Sequence, residues 1–233
     1  MRFYVGTSGY SFKEWKGAFY PTDLPQKEML SYYAERFSAV EINNTFYRMP
    51  TAGMLKPWVK QAPDSFRFVL KAPQTITHRK RLKDCKAETT RLIRAAGALK
   101  GRLGPVLFQL PGNFKKDVPR LNDFLRSIKK RVAVAFEFRH ESWLDDETFD
   151  CLRANSSALC IADVDAARSP RLVRTADWGY LRLRRKSYTK ARLVKWIESL
   201  RSQGWDKAYV FFKHEETGTG PKLATRFLKL AEE

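Results

Sequence analysis

Residues 136–143 read Phe-Glu-Phe-Arg-His-Glu-Ser-Trp and follow the apolar run Val132-Ala133-Val134-Ala135. That run has the length and partial β-branching of a buried strand. A buried strand rarely carries charge, so Glu137 and Arg139 need an explanation. Alternate residues of a strand share a face, which groups Glu137 with Arg139 and Phe136 with Phe138. A carboxylate, a guanidinium and the imidazole of His140 therefore meet where the strand ends. In parallel α/β proteins that end is where ligands bind. The same residues would also serve as an internal ion pair closing the top of a core.

The pattern recurs along the chain. Thr7 and Ser8 follow a strand-like run at 2–6. Glu41 and Asn43 share a face of the apolar run 39–43. Lys71 ends the run 66–71, and Gln109 lies in the run 105–110. Asp163 follows 158–162. Arg182 and Arg184 share a face with Tyr180 in 179–184, and Lys213 with His214 close 208–213. These groups suit three chemistries. In the first, the protein hydrolyses a phosphodiester or another phosphorylated substrate. Glu41, Glu137 and Asp163 supply a base or hold a divalent metal ion as cofactor, and His140 moves a proton. Arg139, Arg182 and Lys71 bind phosphate, with Asn43, Gln109, Lys213 and His214 as further binding groups. The chain has no His-x-x-x-His and no cysteine pair at metal spacing, so the metal has the least support in the sequence.

The second chemistry is a metal-free lyase, isomerase or aldolase acting on a small anionic carbohydrate. Lys71 or Lys213 would be its Schiff-base amine; an ion pair between Lys71 and Glu41 is the plainer role. The third is a non-catalytic nucleic-acid-binding barrel in which Tyr10, Trp15, Phe46, Tyr47 and Trp143 stack on bases. Packing of the same aromatics against the rim is the plainer role there.

Eight strand-like runs alternate with helical patterns at 26–37, 51–61, 84–99, 121–128, 145–153, 190–200 and 222–231. Only 168–177, after the sixth strand, lacks a helical stripe. Such alternation implies parallel pairing, and eight units imply a (β/α)8 TIM barrel spanning 1–233 as one domain, slightly irregular between strands 6 and 7. An open doubly wound sheet would call for a phosphate-binding glycine pattern, and Gly6-Thr7-Ser8-Gly9 is not one.

The 44 Lys and Arg residues against 25 Asp and Glu give a formal charge of +19. That favours an anionic partner, either a small molecule or nucleic acid. Three cysteines without metal or disulfide spacing suit a reducing cytoplasm. Neither a signal peptide nor a membrane-spanning run is expected.

Several segments together resemble one family: Gly6-Thr7-Ser8-Gly9-Tyr10-Ser11, 15–21 (Trp-Lys-Gly-Ala-Phe-Tyr-Pro), 32–37 (Tyr-Tyr-Ala-Glu-Arg-Phe), 40–47 (Val-Glu-Ile-Asn-Asn-Thr-Phe-Tyr) and 104–111 (Gly-Pro-Val-Leu-Phe-Gln-Leu-Pro). Glu137-Phe138-Arg139-His140 with Ser142-Trp143 belongs to the same set. The chain resembles the domain-of-unknown-function 72, or YecE-like, family. The resemblance implies a TIM barrel and carries no agreed activity. In general layout such a barrel is similar to metal-dependent sugar isomerases and to the apurinic-site endonuclease barrel, an analogy of fold alone. Many members of the family have His-Gly where this chain has Arg184-Arg185.

Overall fold

A computed structural model describes residues 1–128, 131–165, 171–213 and 218–233. Its strands are β1 (Arg2–Thr7), β2 (Ala39–Ile42), β3 (Arg67–Lys71), β4 (Leu103–Gln109), β5 (Val134–Glu137), β6 (Ala158–Asp163), β7 (Trp178–Leu183) and β8 (Lys207–Phe212). They form one sheet in the order β1-β8-β7-β6-β5-β4-β3-β2, and every ladder is parallel. Helices α1 (Met29–Ala34), α2 (Asn44–Tyr47), α3 (Ala52–Gln61), α4 (Lys86–Ala96), α5 (Val118–Ile128), α6 (Asp146–Ala154), α7 (Lys190–Arg201) and α8 (Thr219–Glu232) lie between and after the strands. This is the (β/α)8 barrel that the alternation implies. Residues 171–177 carry no helix, while 166–170 lie outside the described residues.

The strand period sorts the core into two. Outward-facing Val40, Ile42, Phe68, Leu70, Val106, Phe108, Phe136 and Leu181 pack against apolar helix stripes such as Leu121, Phe124, Leu125 and Ile128 of α5. Inward-facing Tyr4, Ala39, Val69, Leu107, Ala135, Ala158, Cys160, Trp178, Tyr180, Tyr209 and Phe211 fill the barrel itself. The filling is lopsided. Alanines on β2, β5 and β6 leave room for the large rings of β1, β7 and β8, and Tyr4 stacks on Tyr209 with centroids 4.9 Å apart. Large-against-small filling of this kind gives a packed interior without a pore.

The seam between β1 and β2 closes differently. Ser38 Oγ accepts from Val5 N–H (2.9 Å), and the Tyr33 hydroxyl accepts from Thr7 N–H (2.7 Å) while lying 3.2 Å from Ala39 O. Gly6 permits this approach, since a Cβ there would fall 1.8 Å from Ala39 O. Side-chain hydroxyls thus replace part of a ladder. Tyr33→Phe would leave the buried Thr7 N–H without its acceptor, and a loss of about 1–3 kcal/mol is expected in urea unfolding. An unchanged midpoint would show that the seam does not need the hydroxyl.

Two segments expected as loops are helical. Residues 44–47 form the single turn α2, and Thr75–Arg79 form a π-helical turn. Neither carries an apolar stripe long enough to read from sequence. The expected helix at 26–37 begins as a 3-10 turn, Gln26–Glu28, and the one expected at 84–99 shortens to Lys86–Ala96 before a 3-10 stretch.

Candidate functional site

At the C-terminal end of the barrel the inward positions change from apolar to charged. Two residues beyond the interior filling, on five of the strands, stand Glu41 (β2), Lys71 (β3), Gln109 (β4), Glu137 (β5) and Arg182 (β7). All five are buried, Glu41 at 0%, Glu137 at 3% and Arg182 at 2% exposure. The Arg182 guanidinium forks between the carboxylates, with Nη2 donating to Glu41 Oε1 (2.8 Å) and Nη1 to Glu137 Oε2 (2.5 Å).

Each carboxylate receives further donors. Glu41 accepts from Ser8 Oγ (2.9 Å), Asn43 Nδ2 (3.2 Å) and the Tyr180 hydroxyl (2.6 Å). Glu137 accepts from Gln109 Nε2 (2.5 Å), with Arg139 Nε at 3.4 Å. Burial alone would raise both acids. The Arg182 charge and these donors outweigh it, holding Glu41 below the usual carboxylate range and Glu137 at about 2. Both are fixed anions with their lone pairs engaged. They hold Arg182, and they are poorly disposed to take a proton or a metal.

Above this layer lies a cavity of about 800 Å³. Lys71, Arg139, Arg182 and Arg184 line it together with Gln109, Asn43, Asn44, Gln74 and His78, and among the described residues no Asp or Glu does. Tyr10, Phe12, Phe46, Tyr47 and Trp58 form the rest of its wall. Arg182 Nε, Arg184 Nη1 and Asn43 Oδ1 are buried without a protein partner. Lys71 Nζ donates to Gln109 Oε1 (2.9 Å) and lies 4.2 Å from the centre of the Phe46 ring. Burial first, then the Arg182 charge, pulls its amine down to about 8 against the opposing pull of Glu41 and Glu137. His78 stands on the π-helical turn, edge-on to Phe46 at 4.9 Å, with Nδ1 2.9 Å from Thr77 Oγ1. Burial and the charges of Lys71 and Arg139 lower its pKa, so its imidazole is neutral at pH 7.

The structure gathers Glu41, Asn43, Lys71, Gln109, Glu137, Arg139 and Arg182 into one constellation and keeps other sequence candidates out of it. Asp163 faces outward. It is 1% exposed, accepts from Arg185 Nε (2.6 Å) and from the indole of Trp196 on α7 (3.2 Å), and fastens β6 and the segment after β7 to a helix. β6 runs one residue further than expected, and Asp163 shares the face of Leu159 and Ile161. His140 Nδ1 accepts from Ser142 N–H (3.1 Å) and caps the turn Glu141–Trp143. Lys213 directly follows β8, its backbone N–H donating to Leu183 O (3.0 Å), and His214 lies outside the described residues. Among the described residues no group of three or more His, Cys, Asp and Glu side chains is placed to hold a metal ion.

Of the aromatics considered for stacking, Trp15 and Trp143 are fully buried. Trp143 stacks on Phe138 at 4.8 Å and donates to Phe114 O (2.7 Å). They pack loops, whereas Tyr10, Phe46 and Tyr47 face the cavity. Sequence reasoning did not single out His78 as a site residue, nor Tyr180. The shared face of Tyr180 and Arg182 was a usable signal, and so was the place of His78, like the other two histidines, just after a strand.

No helix among the described residues is long and apolar enough to cross a membrane. A curated relative, UPF0759 protein YecE of Escherichia coli K12, is 35% identical over 112 residues, 48% of this chain and 41% of that protein. UPF0759 protein YunF of Bacillus subtilis 168 is 27% identical over 191 residues, 75% of this chain and 66% of that protein. The chain thus matches about two fifths of the length of YecE. The crystal structure of a DUF72 family protein from Thermotoga maritima MSB8 superposes with a TM-score of 0.81 at 29% identity, covering 100% of both chains. One from Enterococcus faecalis V583 gives 0.83 at 20% identity, covering 99% of this chain and 96% of that one, a likeness of fold. The family profile described as "Protein of unknown function DUF72" matches residues 4–233, and the chain belongs to that family.

Proposed function

We propose that this protein is a metal-free enzyme of carbonyl chemistry, of the lyase or isomerase type, acting on a small anionic substrate through the Lys71 amine. The observation that carries the reading is the setting of Lys71. Its amine sits in a cavity walled by cations, with a pKa of about 8 instead of the ordinary 10.5. An amine so placed has a usable neutral fraction near pH 7, as imine formation requires. Arg139 and Arg184 would receive the substrate's anionic group. Phosphoester hydrolysis draws less support, because both carboxylates of the layer are occupied by Arg182 and its companions.

The reaction balances without a cofactor. The Nζ lone pair forms the C–N bond to the carbonyl carbon. The carbonyl oxygen then leaves as water, carrying one proton from the amine and one from an acid. The resulting iminium draws electrons from a neighbouring C–H or C–C bond as it becomes an enamine, and His78 Nε2 is the base available to take a released proton.

The test is reduction with borohydride in the presence of α-oxo acids and ketose phosphates, followed by peptide mass mapping. A secondary amine on Lys71, absent from Lys71→Arg, is the expected product. If no carbonyl compound of either class is trapped on Lys71, the reading fails.

A further inference from the structure

The cavity has two chemically different walls, and they bear on the substrate. One wall, from β3, β7 and the residues just after β5 and β7, is cationic. The other, from the segments after β1 and β2 and from α3, is aromatic. The aromatic wall is built and held. Trp58 stacks by one face on Phe68 at 5.6 Å, and Phe12 packs on Trp15 at 4.7 Å. Gly9, at φ 104, lies under the Phe12 ring so closely that a Cβ would come within 2.7 Å of it. Phe46 meets Tyr47 and His78 in edge contacts at 5.1 and 4.9 Å. Tyr47 nevertheless stays 76% exposed, an unusual place for a large ring that packing does not require.

A cavity of about 800 Å³ suits a ligand well beyond three carbons. A short oxo acid would occupy the cationic side and leave the rings wet. The polar side has its own complement. Arg182 Nε and Arg184 Nη1 are donors without acceptors. Asn43 turns its Nδ2 to Glu41, which as a carboxylate can only accept, so Asn43 Oδ1 is left as an acceptor without a donor. Two free donors beside one free acceptor match an anionic group with a hydroxyl next to it.

We infer that the substrate is an amphipathic α-oxo acid. Its carboxylate would lie on Arg182 Nε and Arg184 Nη1 with Arg139 beside them, and an aromatic or similarly planar tail would lie against Phe46, Tyr47 and Trp58. The carbinolamine formed by such an acid carries the hydroxyl that Asn43 Oδ1 lacks. This rests on the proposed role of Lys71, and the experiment separates the two.

Calorimetry would compare lactate with phenyllactate, neither of which can form an imine, and borohydride trapping would compare pyruvate with phenylpyruvate. Phenyllactate is expected to bind about tenfold or more tighter than lactate, the gain of burying one ring. Tyr47→Ala, at an exposed position that spares the core, should shrink that ratio. Equal affinities for the two hydroxy acids, or no binding of either, would overturn the aromatic tail even if pyruvate is trapped on Lys71. Tight phenyllactate binding without trapping of phenylpyruvate would uphold the tail and remove the imine chemistry instead.

Discussion

Arg182→Met is expected to cost about 3–5 kcal/mol of stability, the largest loss from any single substitution in the site. The guanidinium is the shared counter-charge of Glu41 and Glu137, and all three groups are buried. Removing it leaves two carboxylates in a low-dielectric interior with neutral donors, the partly exposed Arg139 beside Glu137, and the charges of Lys71 and Arg184 acting only without direct contact. Adding Glu41→Gln and Glu137→Gln to Arg182→Met should recover a large part of the loss, because the uncompensated charges go too. Urea unfolding of the single and triple variants measures both terms, and a triple variant no better than the single would show that packing of the Arg182 stem dominates.

The direction of the acid response follows. Glu137 titrates at about 2 in the folded protein against 4.5 ordinarily. A depressed carboxylate stabilises the fold fully above its unfolded pKa, and that contribution is lost as pH falls from 4.5 toward 2. In Arg182→Met the window should move upward, with unfolding at milder acidity.

The second large effect concerns reactivity. Trapping on Lys71 should fall below detection in Lys71→Met and Lys71→Arg, while Lys71→Arg keeps the charge and with it the affinity for anions. In the parent protein the trapping rate should rise with pH through about 8, where the amine loses its proton. At pH 7 about a tenth of Lys71 is neutral and at pH 8 about half, a gain of roughly fivefold. Anion affinity should run the other way, weakening over the same interval as the positive charge disappears. Initial rates of trapping and a titration with phenyllactate between pH 6 and 9 would display the two slopes. A flat trapping profile would mean that Lys71 is not the attacking group.

The inward positions of the barrel were legible in the sequence because strand parity is strict. Strand parity alone pairs Glu41 with Asn43, Glu137 with Arg139 and Tyr180 with Arg182 by face, and the structure keeps those faces. Asp163 shows how the same rule depends on where a strand ends. Counting from Ile161 places it outside, but ending the strand at Ala162 hid that. His140 depends on a capping bond within a turn, which residue type alone does not announce. The contacts that decide the chemistry were out of reach. Tyr180 meets Glu41 across 139 positions of sequence, and Arg182 meets it across 141. Only their convergence shows that the two glutamates are occupied and that the open side of the site is cationic. The departure at 184–185 also acquires a meaning in three dimensions. Arg184 joins the cavity wall, and Arg185 turns outward to Asp163.

The fork of Arg182 also bears on how the chain reaches its native state. Glu41 lies on the second strand and Glu137 on the fifth, but their common counter-ion arrives only with the seventh. A nascent chain that has formed its first six strands has only the half-exposed Arg139 for Glu137 and no arginine in contact with Glu41, and closing its barrel early would bury both acids without their shared counter-charge. Contacts of such long sequence separation form late and slow the search. Ion pairing across the mouth therefore ties the native layer to the last quarter of the chain, which supplies both the final part of the wall and the shared counter-charge of the acids.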